Sequence, residues 1–236
     1  MIIRNTVLEW YRDDFGFSKP IIDGFVRLVE EQADAAPQQY SAGKQIDTIE
    51  EDLGEDGVHG YIVETFRGFD SDSYDVESLW KDTFPSLLRR SALITVYGYF
   101  EHELVRLCNR FKHEKKFRLS VTDLKDDGIK GAVNYLEKVA NLDVHKNGAE
   151  WKSMNHVRVI RNAVVHRDGG IRDQQDQILP QVSEAIEHLK YIQRDDYDVI
   201  LESGFVAQVV EMFARYFKLI DDSIQASEQQ VGGKGS

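Results

Sequence analysis

The stretch SALITVYGYFEHELVRLCNRF, residues 91 to 111, decides the fold class. Its apolar side chains recur at steps of three and four residues, which places them on one face of an α-helix. They are Leu93, Val96, Phe100, Leu104, Leu107 and Phe111. Leu87 and Leu88 extend this stripe backwards, and Pro85 suits a first helical turn. The pattern predicts a long helix over 86–113, which needs helical partners of similar length.

Helical patterns in the rest of the chain supply those partners. They predict further helices over 20–36, 59–69, 127–142, 150–167, 180–193 and 203–224. The segment YDVILES, 197 to 203, is too short and β-branched for a helix and predicts a brief extended connector before the C-terminal helix. The tail SEQQVGGKGS is expected to be disordered. The fold class expected is therefore all-α, a helical bundle.

The bundle is expected to be built on a long core helix pair. Helices 86–113 and 150–167 should pack lengthwise, with the stripe of the first facing Trp151, Met154, Val157 and Val164 of the second. We expect a helical domain over 85–224 and a disordered tail over 225–236. Residues 1–84 form a helical and acidic segment whose role the sequence does not reveal.

Charge is distributed unevenly along the chain. The net charge is −12, which by itself speaks against a nucleic-acid partner. However, residues 47–82 hold twelve acidic side chains against two basic ones, whereas 106–118 hold six basic against one acidic. Residues 150–172 are also basic, with five against two. Local surfaces that attract phosphate are therefore compatible with the global acidity.

The sequence lacks the motifs that usually identify several classes of protein. One cysteine, Cys108, gives neither an internal disulfide nor a cysteine zinc site, and we expect no metal and no cofactor. No phosphate-binding glycine loop, GxSxG elbow or HExxH motif occurs. The longest uncharged run, 91 to 100, is too short to span a bilayer, and no signal peptide is recognisable. We expect a cytoplasmic protein without membrane contact.

The most informative chemical motif is VRVIRNAVVHRDGG, 157 to 170. On a helix, Arg158, Asn162 and His166 share one face, whereas Arg161 lies about 140° around from His166. Loosening of the helix before Gly169 would let His166 swing towards Arg161. A purely structural interpretation is that cations simply favour the last turn of a helix.

Together with the long helix upstream, this motif resembles the HEPN superfamily of prokaryotic α-helical domains. The hallmark is Arg-x4–6-His at the end of a core helix, often with a polar residue after the Arg; here it is Arg161, Asn162 and His166. The resemblance covers roughly 85 to 224. It implies a metal-independent endoribonuclease that leaves a 2′,3′-cyclic phosphate, typical of prokaryotic toxins and phage-defence RNases.

The roles implied for the motif fit the chemistry of its side chains. His166 can exchange a proton near neutral pH and assist the ribose 2′-OH, and Arg161 can bind the phosphoryl oxygens through its planar fork. Asn162 can bind phosphate or orient the His. Glu101, His102 and Arg158 are candidates for support; His156 is less well placed. The expected RNA-binding residues are Arg106, Arg110, Lys112, Lys115, Lys116 and Arg167.

The resemblance also implies partners. HEPN domains typically dimerise with their motifs facing each other, so we expect a homodimer, RNA as the substrate and an antitoxin or regulatory protein as a further partner. Two alternatives remain open: a non-catalytic HEPN-like module for dimerisation or for binding RNA or nucleotides, and a structural helical protein with an accidental motif.

Overall fold

The computed structural model describes residues 6–52 and 58–232, which are mostly helical. A 3₁₀-helix and a π-helix, Val7–Glu9 and Tyr11–Phe15, lead into the first α-helix. The α-helices are α1 Gly16–Gly43, α2 Val76–Ser78, α3 Phe84–Lys115, α4 Gly128–Lys138, α5 Ala149–Arg167, α6 Pro180–His188 and α7 Phe205–Gly232. The strands are β1 Gln45–Asp52, β2 Val58–Phe66, β3 Phe69–Asp70, β4 Ile192–Arg194 and β5 Val199–Leu201. A second π-helix, Leu79–Thr83, precedes α3, and a 3₁₀-helix, Val121–Asp123, precedes α4.

Two small antiparallel sheets correct the all-α expectation. The helix predicted over 59–69 is wrong, because β2 occupies this segment and pairs with β1 from Gln45↔Thr65 to Asp52↔Val58. Burial alternates as on a strand: Val63 is 4% exposed and its neighbour Ile62 is 65% exposed. Cross-strand pairing therefore overrides the weak helical pattern.

The long stripe forms the centre of the main core, as the sequence predicts. Leu93, Val96, Phe100, Leu104 and Leu107 are fully buried on α3. The N-terminal segment contributes to the same core through its own buried apolar side chains, which are Val7, Trp10, Phe15, Ile22 and Val26. The expected boundary at 84/85 thus does not divide the core. A smaller cluster of Tyr40, Phe66 and Val76 lies under the three-stranded sheet.

The expected packing of α3 on α5 is found only in part. Met154, Val157 and Val164 are buried in the main core, so α5 does face α3. However, α1 and α4 cover more of α3 than α5 does, and α5 packs chiefly on α6 and α7. Helix α5 is therefore one of several partners of α3 and not its main partner.

The C-terminal region confirms the extended connector and corrects two details. β5 lies within the segment 197–203 and pairs antiparallel with β4, which takes the last residues of the helix predicted over 180–193. The predicted disorder from 225 onwards is wrong for 225–232, because α7 continues to Gly232; residues 233–236 lie outside the described residues. None of the helices in the described ranges combines the length and apolar character that crossing a membrane requires.

Candidate functional site

Helix α5 keeps its α-helical geometry up to Arg167 and then ends abruptly. Asp168 adopts the left-handed conformation, with a φ of 52°, and the Gly169 N–H donates to the carbonyl of Ala163 at 3.0 Å. This bond satisfies a carbonyl of the last turn. The helix therefore does not loosen before its end. The expected movement of His166 towards Arg161, which requires such loosening, does not occur in this structure.

Arg90 of α3 fixes the end of α5 in place. Its Nη1 donates to the carbonyl of Asp168 at 2.6 Å, and its Nη2 donates to the carbonyl of Val199 in β5 at 3.1 Å. Gly169 makes this approach possible, since its φ is +90° and a Cβ there would lie 2.6 Å from Arg90 Nη2. One guanidinium thus ties the motif helix to α3 and to the small C-terminal sheet.

The Arg161 guanidinium is held on two sides. It lies over the ring of Tyr97, 5.2 Å from the ring centroid, and its Nη1 donates to Oδ1 of Asn162 at 3.0 Å. Its buried Nε has no hydrogen-bond partner among the described residues. The side chain is therefore oriented by an aromatic face and an amide oxygen, while part of its donor capacity remains unused.

Tyr97 contacts the predicted site residue Arg161, and sequence reasoning missed it. The side chain is 3% exposed, and burial, followed by the nearby Glu101 carboxylate, raises its pKa to about 12. The cations Arg158 and Arg161 act in the opposite direction. Tyr97, Glu101, Arg158 and Arg161 therefore form one electrostatically coupled cluster between α3 and α5. The sequence did hold an indication that Tyr97 lies near the site, since Tyr97 precedes Glu101, a predicted supporting residue, by one helical turn.

The three residues predicted to support the site lie in different surroundings. They are Glu101, Arg158 and His102. The Glu101 carboxylate lies at the start of α4, where a Cβ on Gly128 would be 2.9 Å from its Oε2. Arg158 Nε lies 3.5 Å from Oδ1 of Asn155 on its own helix. His102 is exposed on α3, with no hydrogen bond or ion pair among the described residues. Glu101 and Arg158 thus both lie close enough to Tyr97 to act on its hydroxyl, whereas His102 does not contribute there.

His166 lies apart from this cluster. It is exposed and lines an open groove of about 730 Å³ that Arg167, Arg172, Tyr197 and Asp198 also line. Because α5 stays helical, His166 remains about 140° around the axis from Arg161. The chain thus presents Arg161 and His166 on different sides of the same helix end, with Asn162 on the face that also carries His166.

The predicted RNA-binding cations fall into two groups. Arg110 forms a buried ion pair with Asp14, and Arg106 pairs with Asp14 at 3.3 Å and with Glu103 at 2.9 Å. Lys115 pairs with Glu228 of α7 at 2.6 Å. These three side chains stabilise the fold. Three others pair with no acidic side chain within the described ranges: Lys112, Lys116 and Arg167.

Comparisons of the chain with models of protein families, with curated proteins and with solved structures found no match. Function must therefore be inferred from the geometry of the site itself.

Proposed function

We propose that the chain is a metal-independent endoribonuclease of the HEPN type, with Arg161, Asn162 and His166 as its catalytic residues. The observation that supports this most is the preorganised Arg161, which is stacked on Tyr97 and hydrogen-bonded to Asn162. A guanidinium fixed before substrate arrives stabilises transition-state charge without reorganisation. Its biological setting would be that of a prokaryotic toxin or phage-defence RNase acting in the cytoplasm.

The proposed reaction needs only groups of this chain and the RNA. His166 accepts the proton of a ribose 2′-OH, the 2′-oxygen bonds to the adjacent phosphorus, and the bond from phosphorus to the 5′-oxygen breaks. The leaving oxygen takes a proton from a second imidazolium or from water. Arg161 binds the phosphoryl oxygens, where negative charge builds up. The products are a 2′,3′-cyclic phosphate and a 5′-hydroxyl.

Dimerisation completes the site in this proposal. Arg161 and His166 lie on different sides of α5 in one protomer, so a single copy does not bring them onto one phosphate. A two-fold axis beside the end of α5 would place Arg161 of one protomer opposite His166 of the other. Lys112, Lys116 and Arg167 would add phosphate contacts, and an antitoxin or regulatory protein would hold the activity in check.

Single-stranded RNA tests the proposal directly. The protein should cleave an RNA oligonucleotide in the presence of EDTA and leave a 2′,3′-cyclic phosphate or its hydrolysed form. The 2′-O-methyl version of the same oligonucleotide is the matched control and should stay intact, since it lacks the attacking hydroxyl. Cleavage of both oligonucleotides, or of neither, contradicts the proposed chemistry.

A second candidate function is a non-catalytic module that binds RNA or nucleotides. The observation that favours it is the separation of Arg161 from His166 on α5, while Lys112, Lys116 and Arg167 pair with no acidic side chain within the described ranges. This candidate predicts salt-dependent RNA binding without cleavage. The same oligonucleotide measured by fluorescence anisotropy and by gel electrophoresis separates the two.

A further inference from the structure

A second cluster of chemically active side chains lies between α5 and α6. The imidazole rings of His156 and His188 stack with centroids 4.7 Å apart and planes inclined by 14°. Glu184 precedes His188 by one turn of α6, so both side chains lie on the face turned to His156. One ligand atom from each of the three residues lies within 4.8 Å of the other two.

The hydrogen bond of His188 defines which of its nitrogens is free. Its Nδ1 lies 2.8 Å from the backbone carbonyl of Glu184. A carbonyl only accepts, so Nδ1 is the donor, and in the neutral ring the lone pair lies on Nε2. Metal-binding histidines are typically oriented by such a bond from their second nitrogen.

The helices hold the three side chains close to the distances that separate the ligands of one metal ion. Val182 and Ala185 are buried in the main core, which fixes α6 against its neighbours. The cluster opens into a cavity of about 640 Å³ that Lys152, Asn155 and Gln181 also line. Zinc–nitrogen bonds of about 2.0–2.1 Å place tetrahedral ligand atoms roughly 3.4 Å apart. Binding of one ion would therefore require the three side chains to move closer together by about 1 Å.

We propose that His156, Glu184 and His188 bind one divalent transition-metal ion, with Zn²⁺ as the best match. Two imidazoles and one carboxylate form a ligand set that zinc accepts, and water from the open cavity supplies the fourth ligand. Because α5 provides one ligand and α6 the other two, the ion would join these helices.

The proposed zinc site is separate from the proposed nuclease site. His156 lies five residues before Arg161, which is about 140° around the helix axis. Zinc should therefore stabilise the fold without taking part in RNA cleavage. The expectation that RNA cleavage resists EDTA is unaffected, and neither proposal depends on the other.

Titration of the tag-free, chelator-treated full chain with ZnCl₂ in a calorimeter tests the site. We expect one bound Zn²⁺ per chain and a rise in the melting temperature. Co²⁺ in place of Zn²⁺ should give the visible absorption of a four-coordinate ion. The variants His156→Ala, His188→Ala and Glu184→Gln should each weaken binding by about tenfold or more.

Two matched variants serve as controls. His113→Ala removes an exposed histidine of α3, and Glu187→Gln removes an exposed acid of α6 outside the cluster. Both should bind zinc like the native chain. Metal-free circular dichroism and melting curves check that every variant folds. The inference is overturned by the absence of zinc binding in the native chain, or by unchanged binding in a folded His156→Ala/His188→Ala double variant.

Discussion

The guanidinium of Arg161 lies over the buried ring of Tyr97, with 5.2 Å between Cζ and the ring centroid. This contact joins the motif helix α5 to the long helix α3. It also gives Arg161 one orientation, since the Asn162 oxygen holds the other side of the fork. The position of the phosphate-binding group in our proposal therefore depends on a tyrosine outside the motif.

Substitutions of Tyr97 should distinguish the contribution of its aromatic ring to RNA cleavage from that of its hydroxyl group. Tyr97→Phe keeps the ring and should retain most of the RNA cleavage rate. Tyr97→Leu removes the cation–π contact, worth about 0.5–2 kcal/mol, and should slow cleavage about tenfold. Single-turnover rates measure the effect. Equal rates for Tyr97→Leu and Tyr97→Phe would show that the ring does not position Arg161.

RNA cleavage should depend on the planar geometry of the Arg161 side chain more than on its positive charge. Arg161→Lys keeps the positive charge but loses the planar fork, so cleavage should fall sharply. Asn162→Ala should cause a smaller loss, because the Tyr97 contact remains. Cleavage rates at saturating RNA measure both changes. An Arg161→Lys protein as active as the native chain would contradict the proposed role of the fork.

Alkaline pH should destabilise the fold through buried tyrosines. Burial raises the pKa of Tyr97 and of Tyr99 to about 12, above the ordinary value of 10.0. The folded state thus retains protons that the unfolded chain loses, and the free energy of unfolding should fall from about pH 10 to about pH 12. Tyr97→Phe should lose less stability over this range in urea titrations. An identical loss would contradict the assignment to Tyr97.

Gly169 should be intolerant of a side chain. Gly169→Ala places a residue at a φ of +90° and a Cβ 2.6 Å from Arg90 Nη2, so it should cost about 1–3 kcal/mol of unfolding free energy. The control is Gly98→Ala in α3, where a Cβ meets nothing within 4 Å. That change should stabilise by about 0.5–1 kcal/mol. Urea denaturation measures both, and equal effects would refute the close approach of Arg90.

Mixing two inactive variants tests the composite site of the proposed homodimer. Light scattering should find a dimer at micromolar concentration. Arg161→Ala and His166→Ala proteins should each be inactive alone, but unfolding and refolding them together should recover part of the native activity. Recovery requires Arg161 of one protomer to act with His166 of its partner. A monomer, or a mixture without activity, would contradict this arrangement.

Local sequence patterns predict the helices better than they predict the contacts between them. The 3–4 spacing of Leu93 to Phe111 identifies α3 because amphipathic periodicity is a local property. The β1–β2 hairpin is missed because its stability comes from cross-strand pairs such as Thr48↔Ile62. An acidic segment such as 45–52 carries little strand signal of its own.

The site is predictable to the extent that it lies on one helix. Arg161, Asn162 and His166 are recognisable from their spacing, whereas Tyr97 becomes part of the site only when α5 docks on α3. Similarly, Arg110 resembles a free cation in the sequence, yet Asp14 from the N-terminal segment pairs with it in the fold. His156 and His188 lie on different helices, and no local pattern joins them.

The central claim is tested most directly by comparing the RNA cleavage rates of the native protein and of His166→Ala in EDTA. Both proteins are purified identically and assayed side by side. His166 is exposed and makes no hydrogen bond or ion pair among the described residues, so its removal should leave the fold intact. Our account predicts that the native protein produces 2′,3′-cyclic phosphate ends and that His166→Ala produces none. Equal cleavage by the two proteins would contradict it.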